Sequence, residues 1–237
     1  MAGVRERVRQ ETTREILDTA RRQLATVGPA DLSLRAVARE VGLASSAVYR
    51  YFASRDELLT ALILAAYDDL GDAVERAEAA VPREDHARRW LTVCQAARRW
   101  ALDHPHEWTL IYGTPVPGYV APQRTVESGI RVQRLLLALL GEIVAAEDAA
   151  APAAGGRGPA VPPDLPAAYP SLAELTGPAM ATARAVLGVV GWTWLVGRIS
   201  VELNGQLVGV VEPAAADAAY RWEATAVGAA TVFGRAG

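Results

Sequence analysis

The residues best suited to chemistry on a partner molecule crowd into one short stretch of a 237-residue chain: Ser45, Ser46, Ala47, Tyr49, Arg50 and Tyr51. Short side chains let the backbone come close to another surface, and a serine hydroxyl both donates and accepts. Each tyrosine adds one hydrogen bond. Arg50 adds a fork of donors that matches a phosphate or the edge of a guanine, and the alanine methyl can pack on a thymine methyl. Bulky polar groups on so short a segment make a poor core. The pattern therefore predicts that they face outward, with Val48 and Phe52 turned in. Ser33 and Arg35 open the preceding helix, and Arg55 opens the following one. A cation in a helix's first turn is disfavoured by roughly 0.3–1 kcal/mol, and a phosphate at that end reverses the sign.

The elements that must hold these groups are legible from spacing. Ile16, Leu17, Ala20, Leu24 and Val27 predict a long helix that stops at Gly28–Pro29. Ser33 is placed to cap a short helix with Leu34, Val37, Ala38 and Val41 on one side. Gly42 supplies the left-handed residue of a tight turn. A further short helix is expected over about 45–51. Ser54 and Glu57 then form a capping box before a long helix that fades near Val81–Pro82.

Farther on, Trp90, Val93, Cys94, Ala97 and Trp100 predict a helix broken at His104–Pro105. A short helix ends at Gly113, and a long one is expected from about Ala121 to Glu147. Residues 149–170, rich in Pro, Gly and Ala, predict a loop. Two last helices are expected at about 178–204 and 213–234, with Asn204–Gly205 closing the first and Pro213 opening the second. No alternating strand pattern of useful length appears, so the expected fold class is all-α.

Composition bounds the rest. Net charge is −3, and all 24 basic residues are arginine. Residues 1–56 hold ten arginines against seven acidic residues, +3, so the remainder carries −6. A basic head on an acidic body fits nucleic-acid binding by the head. Cys94 is the single cysteine, which excludes an internal disulfide and implies a reducing compartment. The N-terminus lacks a signal-peptide core, and the apolar run at 185–197 falls short of a membrane span. A cytoplasmic protein without membrane contact is expected. His104 and His106 have no evident third ligand. Cys94 sits on an apolar face, and no nucleophile elbow, Walker loop or dinucleotide fingerprint appears. No metal, cofactor or enzymatic activity is expected.

Helix, glycine turn and short helix make the helix-turn-helix plan. The stretch "LRAVAREVGLASSAVYRYFASRDELL", residues 34–59, resembles the TetR family of bacterial transcriptional regulators through Ala38, Val41–Gly42–Leu43, Tyr49, Phe52, Ser54–Arg55 and Leu58. The family usually has serine or threonine where this chain has Ala44, and often glycine and threonine at Ser46 and Ala47, so base preference does not carry over. The resemblance implies a three-helix DNA-binding domain, residues 1–56, on a larger helical ligand-binding and dimerisation domain, residues 57–237. It implies that Arg55 contacts the DNA backbone and that Ser33 and Arg35 touch phosphate or an adjacent base. The expected partners are double-stranded DNA with a palindromic operator, a small-molecule effector, and a second copy joined through residues 178–234. Trp108, Tyr112, Tyr119 and Trp194 are candidates for an effector pocket. A repressor released by a small, mainly apolar or aromatic molecule is the expected function. A regulator or activator without an effector is the alternative.

Overall fold

The computed structural model describes residues 2–150, 164–170, 172 and 182–232. Among these the regular structure is entirely helical, as expected. The chain forms two compact units, Met1–Asp69 with Asp103–Gly129, and Leu70–Leu102 with Ile130–Gly237. The expected functional boundary at 56/57 falls inside the first.

The first unit contains α1 (Ala2–Val27), α2 (Leu34–Glu40), a 3-10 turn (Val48–Arg50), the start of α3 (Arg55–Ala79), α5 (Pro105–Tyr112) and α6 (Arg124–Gly129). Its core gathers Ile16, Ala20 and Leu24 of α1, Val37 and Ala38 of α2, Val48 and Phe52, and Leu58, Leu59 and Leu62 of α3. Each fully buried Leu or Val side chain contributes about 1.5–3 kcal/mol. Ser33 caps α2, its hydroxyl accepting from the Ala36 N–H at 3.5 Å. After α2, Gly42 has φ +76°, its N–H donates to the Arg39 carbonyl, and the Leu43 N–H donates to the Ala38 carbonyl at 2.8 Å. That pair of bonds is the Schellman turn. At the start of α3 the Ser54 hydroxyl accepts from the Glu57 N–H at 3.1 Å, while the Glu57 carboxylate accepts from the Ala53 N–H at 2.8 Å.

The second unit contains the end of α3, α4 (His86–Asp103), α7 (Arg131–Ala150), α8 (Leu165–Ala168), α9 (Thr182–Leu203), α10 (Ala216–Val227) and a π turn (Gly228–Val232). Trp90 donates its indole N–H to the Ala224 carbonyl at 2.8 Å, and Tyr220 donates to the Cys94 carbonyl at 3.0 Å. Arg89, wholly buried, pairs with Glu78 and Glu142. Arg98 pairs with Glu202 and Asp217. Arg131, the first residue of α7, forks onto Asp72 at 2.6 Å and Glu75 at 2.7 Å. Its guanidinium lies across Gly71, where an added Cβ would sit 2.8 Å from Cζ. Gly205, φ +71°, closes α9 with a second Schellman turn, and Pro213 opens the last helical segment through a 3-10 turn.

Three expectations change. The helix expected from Ala121 to Glu147 is two helices, broken at Ile130. Gly129 ends α6 close to Tyr67, where an added Cβ would stand 3.3 Å from the ring. The apolar run expected at 185–197 lies within a longer helix, residues 184–203, whose most apolar 18-residue stretch has a mean hydropathy of 1.4; a single helix of that length and composition does not indicate a membrane span. Arg198 and Glu202 lie within it as an ion pair, which the run to Gly197 did not reach. In the expected loop of residues 149–170, α7 extends to Ala150 and α8 lies at 165–168. Residues 151–163 of that loop lie outside the described residues, as do 178–181 and 233–234 of the two expected terminal helices.

Candidate functional site

The opening stretch folds as one winding of chain over residues 44–52. Ala47, Arg50 and Tyr51 donate to carbonyls three residues back, at 2.8, 3.2 and 2.9 Å, and Phe52 donates to Val48 at 3.1 Å. The α-helix expected over 45–51 is thus mostly tighter 3-10 winding. Such winding suits short runs, because its hydrogen bonds are poorer and its side chains eclipse. Val48 is fully buried and Phe52 is 7% exposed, so these two anchor the turn. Ser45, Ser46, Tyr49 and Arg50 are exposed, and Ala47 and Tyr51 are half-buried. Arg35 is exposed on α2 and Ser33 is half-buried at its cap. The first unit therefore presents hydroxyl, phenol and guanidinium groups around α2 and the turn.

Arg9 belongs with this set and was missed in the sequence. Its guanidinium lies 5.9 Å from the Tyr51 ring centroid and donates to the Arg50 carbonyl at 3.4 Å. The signal was only one arginine among several on α1, since the contact spans 41 residues. Arg55 has an internal occupation. Its Nε donates to the Leu32 carbonyl at 3.0 Å, and Nη2 donates to the Pro29 and Ala30 carbonyls at 2.6 and 2.8 Å. It thereby holds the loop that precedes Ser33.

The aromatic candidates divide. Trp108, Tyr112 and Tyr119 belong to the first unit and Trp194 to the second. Trp108 is 2% exposed and lies 4.6 Å, ring to ring, from Tyr112, which meets Tyr67 edge-on. Burial pushes the Tyr112 hydroxyl well above the ordinary phenol range. Tyr119 shares a 2.8 Å hydrogen bond with Thr60. Trp194 lies 5.7 Å from the Tyr220 ring. The second unit has a cavity of about 240 Å³ walled by α7 and α9 residues, among them Gln133, Leu137 and Trp192, none of which sequence spacing singled out. Cys94 is buried, which pushes its thiol above the ordinary range and leaves it unreactive.

Comparison with known proteins agrees with this architecture. Residues 16–62 match the family described as bacterial regulatory proteins, tetR family, and residues 90–227 match the tetracyclin repressor-like C-terminal domain. HTH-type transcriptional regulators of Mycobacterium tuberculosis and Mycobacterium bovis are 47% identical over 131 residues, 55% of this chain and 56% of theirs. The chain thus aligns with about half the length of these curated relatives. The solved structure of SCO4313 is 32% identical, covers 92% of this chain and 97% of its own, and has a TM-score of 0.69. A TetR-family regulator, PfmR of Thermus thermophilus, is 17% identical over 90% of this chain and 96% of its own with a TM-score of 0.52, a likeness of fold alone. With a glycine-closed helix-turn-helix at one end and a matching helical body along the rest, the chain belongs to the TetR family of bacterial regulatory proteins.

Proposed function

We propose that the chain is a cytoplasmic, homodimeric DNA-binding regulator that represses transcription and is released from a palindromic operator by a small, mainly apolar or aromatic molecule. The observation that carries the DNA reading is the outward set on the 3-10 turn. Tyr49 and Arg50 project from a segment whose inward residues, Val48 and Phe52, are fixed in the core. In this reading Ser45, Ser46, Ala47, Tyr49, Arg50 and Tyr51 meet base edges and phosphates in the major groove, with Ser33 and Arg35 beside them. Arg55 adds positive charge near the backbone while its donors hold the loop.

A second copy is proposed to cover α9 and α10. Trp222 on α10 is 73% exposed and Val190 on α9 is 46% exposed. An indole left so open on an alanine-rich helix fits an interface anchor. Two heads on such a dimer address half-sites about one helical turn apart, roughly 34–36 Å. The deciding experiment is a gel-shift titration against an operator captured by genome-wide binding. Tyr49→Ala and Arg50→Ala should each lose roughly 1–3 kcal/mol of affinity while remaining folded. Wild-type affinity in both variants would remove the turn from the interface.

A further inference from the structure

The face of α1 that is buried in the core continues past the core as arginine. Ile16, Ala20 and Leu24 make the buried part, and Ile16 is the first buried residue among those described in the helix. Counting back from Ile16 in helical steps of three or four reaches Thr12 and Thr13, then Arg9, then Arg5. Thr12 and Thr13 are half-buried, and residues 3–11 are all exposed. At 1.5 Å per residue the helix runs about 20 Å beyond Ile16. Arg9 fixes where this end lies. Its Nη2 donates to the Arg50 carbonyl at 3.4 Å, and its guanidinium stands 5.9 Å from the Tyr51 ring centroid. The helix end therefore passes beside the 3-10 turn, and Arg5 carries the same face one winding farther. Among the described residues Arg5 has no hydrogen bond or ion pair. Two cations at i and i+4 repel and weaken a helix, and an anion bound to both reverses that effect. The chain supplies no such anion here. Glu11 and Glu15 fall outside the stripe, and Glu6 accepts from Gln10 Nε2 at 3.2 Å.

We propose that the N-terminal end of α1 is a second DNA-contacting element, with Arg5 and Arg9 each binding a backbone phosphate just outside the segment read by the 3-10 turn. The inference rests on the DNA reading above and extends the contact surface beyond the helix-turn-helix. A guanidinium fork matches phosphate oxygens, and Arg9 has donors to spare after its bond to the Arg50 carbonyl. Phosphate contacts carry no base information. They set register and add affinity that salt screens. The two arginines thus strengthen binding to any duplex alike, provided that the duplex extends under the helix end.

The test uses the full chain in gel-shift titrations over a series of salt concentrations. Three duplexes are compared: the captured operator, the same operator trimmed of its flanking base pairs, and a random duplex of the operator's full length. Arg5→Ala and Arg9→Ala should each weaken binding to operator and random duplex by the same factor, roughly tenfold at ~0.1 M salt, and lower the salt slope by about one for each bound head. Arg5→Lys and Arg9→Lys keep the charge and should restore most of that slope. Trimming the flanks should weaken the wild type and leave the Arg5→Ala, Arg9→Ala double variant little changed. An unchanged salt slope in the double variant, or equal losses on trimming in wild type and double variant, would overturn the proposal. So would an Arg9→Ala loss confined to the operator with Arg5→Ala silent, because Arg9 would then act only by holding the Arg50 carbonyl. Alanine favours the helix, so α1 should persist in these variants, and circular dichroism checks it. Tyr49→Ala and Arg50→Ala separate this contact from the reading beneath it. If they lose operator binding while the double variant binds as wild type, the α1 contact alone is removed. A wild-type chain that binds no duplex removes both.

Discussion

Arg55 and Tyr49 lie six residues apart and answer to different partners. The Arg55 guanidinium reaches three carbonyls of the 29–32 loop, two of them in part-buried bonds, so its removal unties that loop. Arg55→Ala should cost about 1–3 kcal/mol of stability, discounted from three charge-assisted bonds because the side chain is 30% exposed. Urea unfolding measures this, and a variant as stable as wild type would return the guanidinium to the DNA surface. Tyr49→Ala should leave unfolding within about 0.5 kcal/mol of wild type. Trp108 is a third case. It is 2% exposed and packed against Tyr112 with the rings tilted at 56°, so Trp108→Ala should destabilise by about 3–5 kcal/mol, as the loss of a core aromatic does. A stable Trp108→Ala protein with weakened effector binding would restore Trp108 to a pocket wall.

At the scale of elements, the glycines of α9 separate fold from assembly. A Cβ on Gly191 would stand 2.9 Å from the Trp90 ring, whereas Gly197 has nothing within 4 Å. Gly191→Leu should therefore lower the unfolding temperature by forcing Trp90 aside. Trp222→Ala should instead shift light scattering from dimer to monomer while far-UV circular dichroism is unchanged. A Trp222→Ala dimer at micromolar concentration would place the interface elsewhere. Sequence spacing gave the helix faces well, since Val48 and Phe52, or Val93 and Ala97, follow from periodicity alone. It also located the turns at Gly42, Gly205 and Pro213, where the chemistry is local. It could not give the 3-10 winding of 45–51, the break at Ile130, or the triple bond set of Arg55. The Arg55 bonds reach partners 23 to 26 residues away in the chain, where no local pattern points. The cavity escaped for the same reason. Gln133 and Trp192 sit on helices about sixty residues apart, and nothing in either segment marks it as a wall.

For the molecule as a whole, arginine–carboxylate pairs set the response to acid. Hydrogen bonds from Arg89 hold Glu142 below its ordinary value of 4.5, and those from Arg98 hold Glu202 below the same value. A carboxyl group depressed in the folded state adds stability that is fully present above 4.5. That stability is lost as pH falls through the lower folded value. Urea stability should thus be flat near neutrality and fall below pH 4.5, and stability that rises on acidification would contradict the pairing. Arg89→Met leaves buried Glu78 with Arg83 alone, at 2.9 Å, and should cost about 1–3 kcal/mol at pH 7.

The seat of Arg131 on Gly71 has a genetic consequence. The guanidinium fits across α3 only because residue 71 has no side chain, and it fixes the start of the helix that carries Gln133 and Leu137. One added methyl would make the guanidinium shift and loosen its fork onto Asp72 and Glu75, while leaving both the proposed DNA-reading turn and the cavity chemically intact. On the repressor reading proposed above, a Gly71→Ala allele should respond less to inducer than wild type. A selection for cells that cannot be induced should return changes at positions 71, 72, 75 and 131.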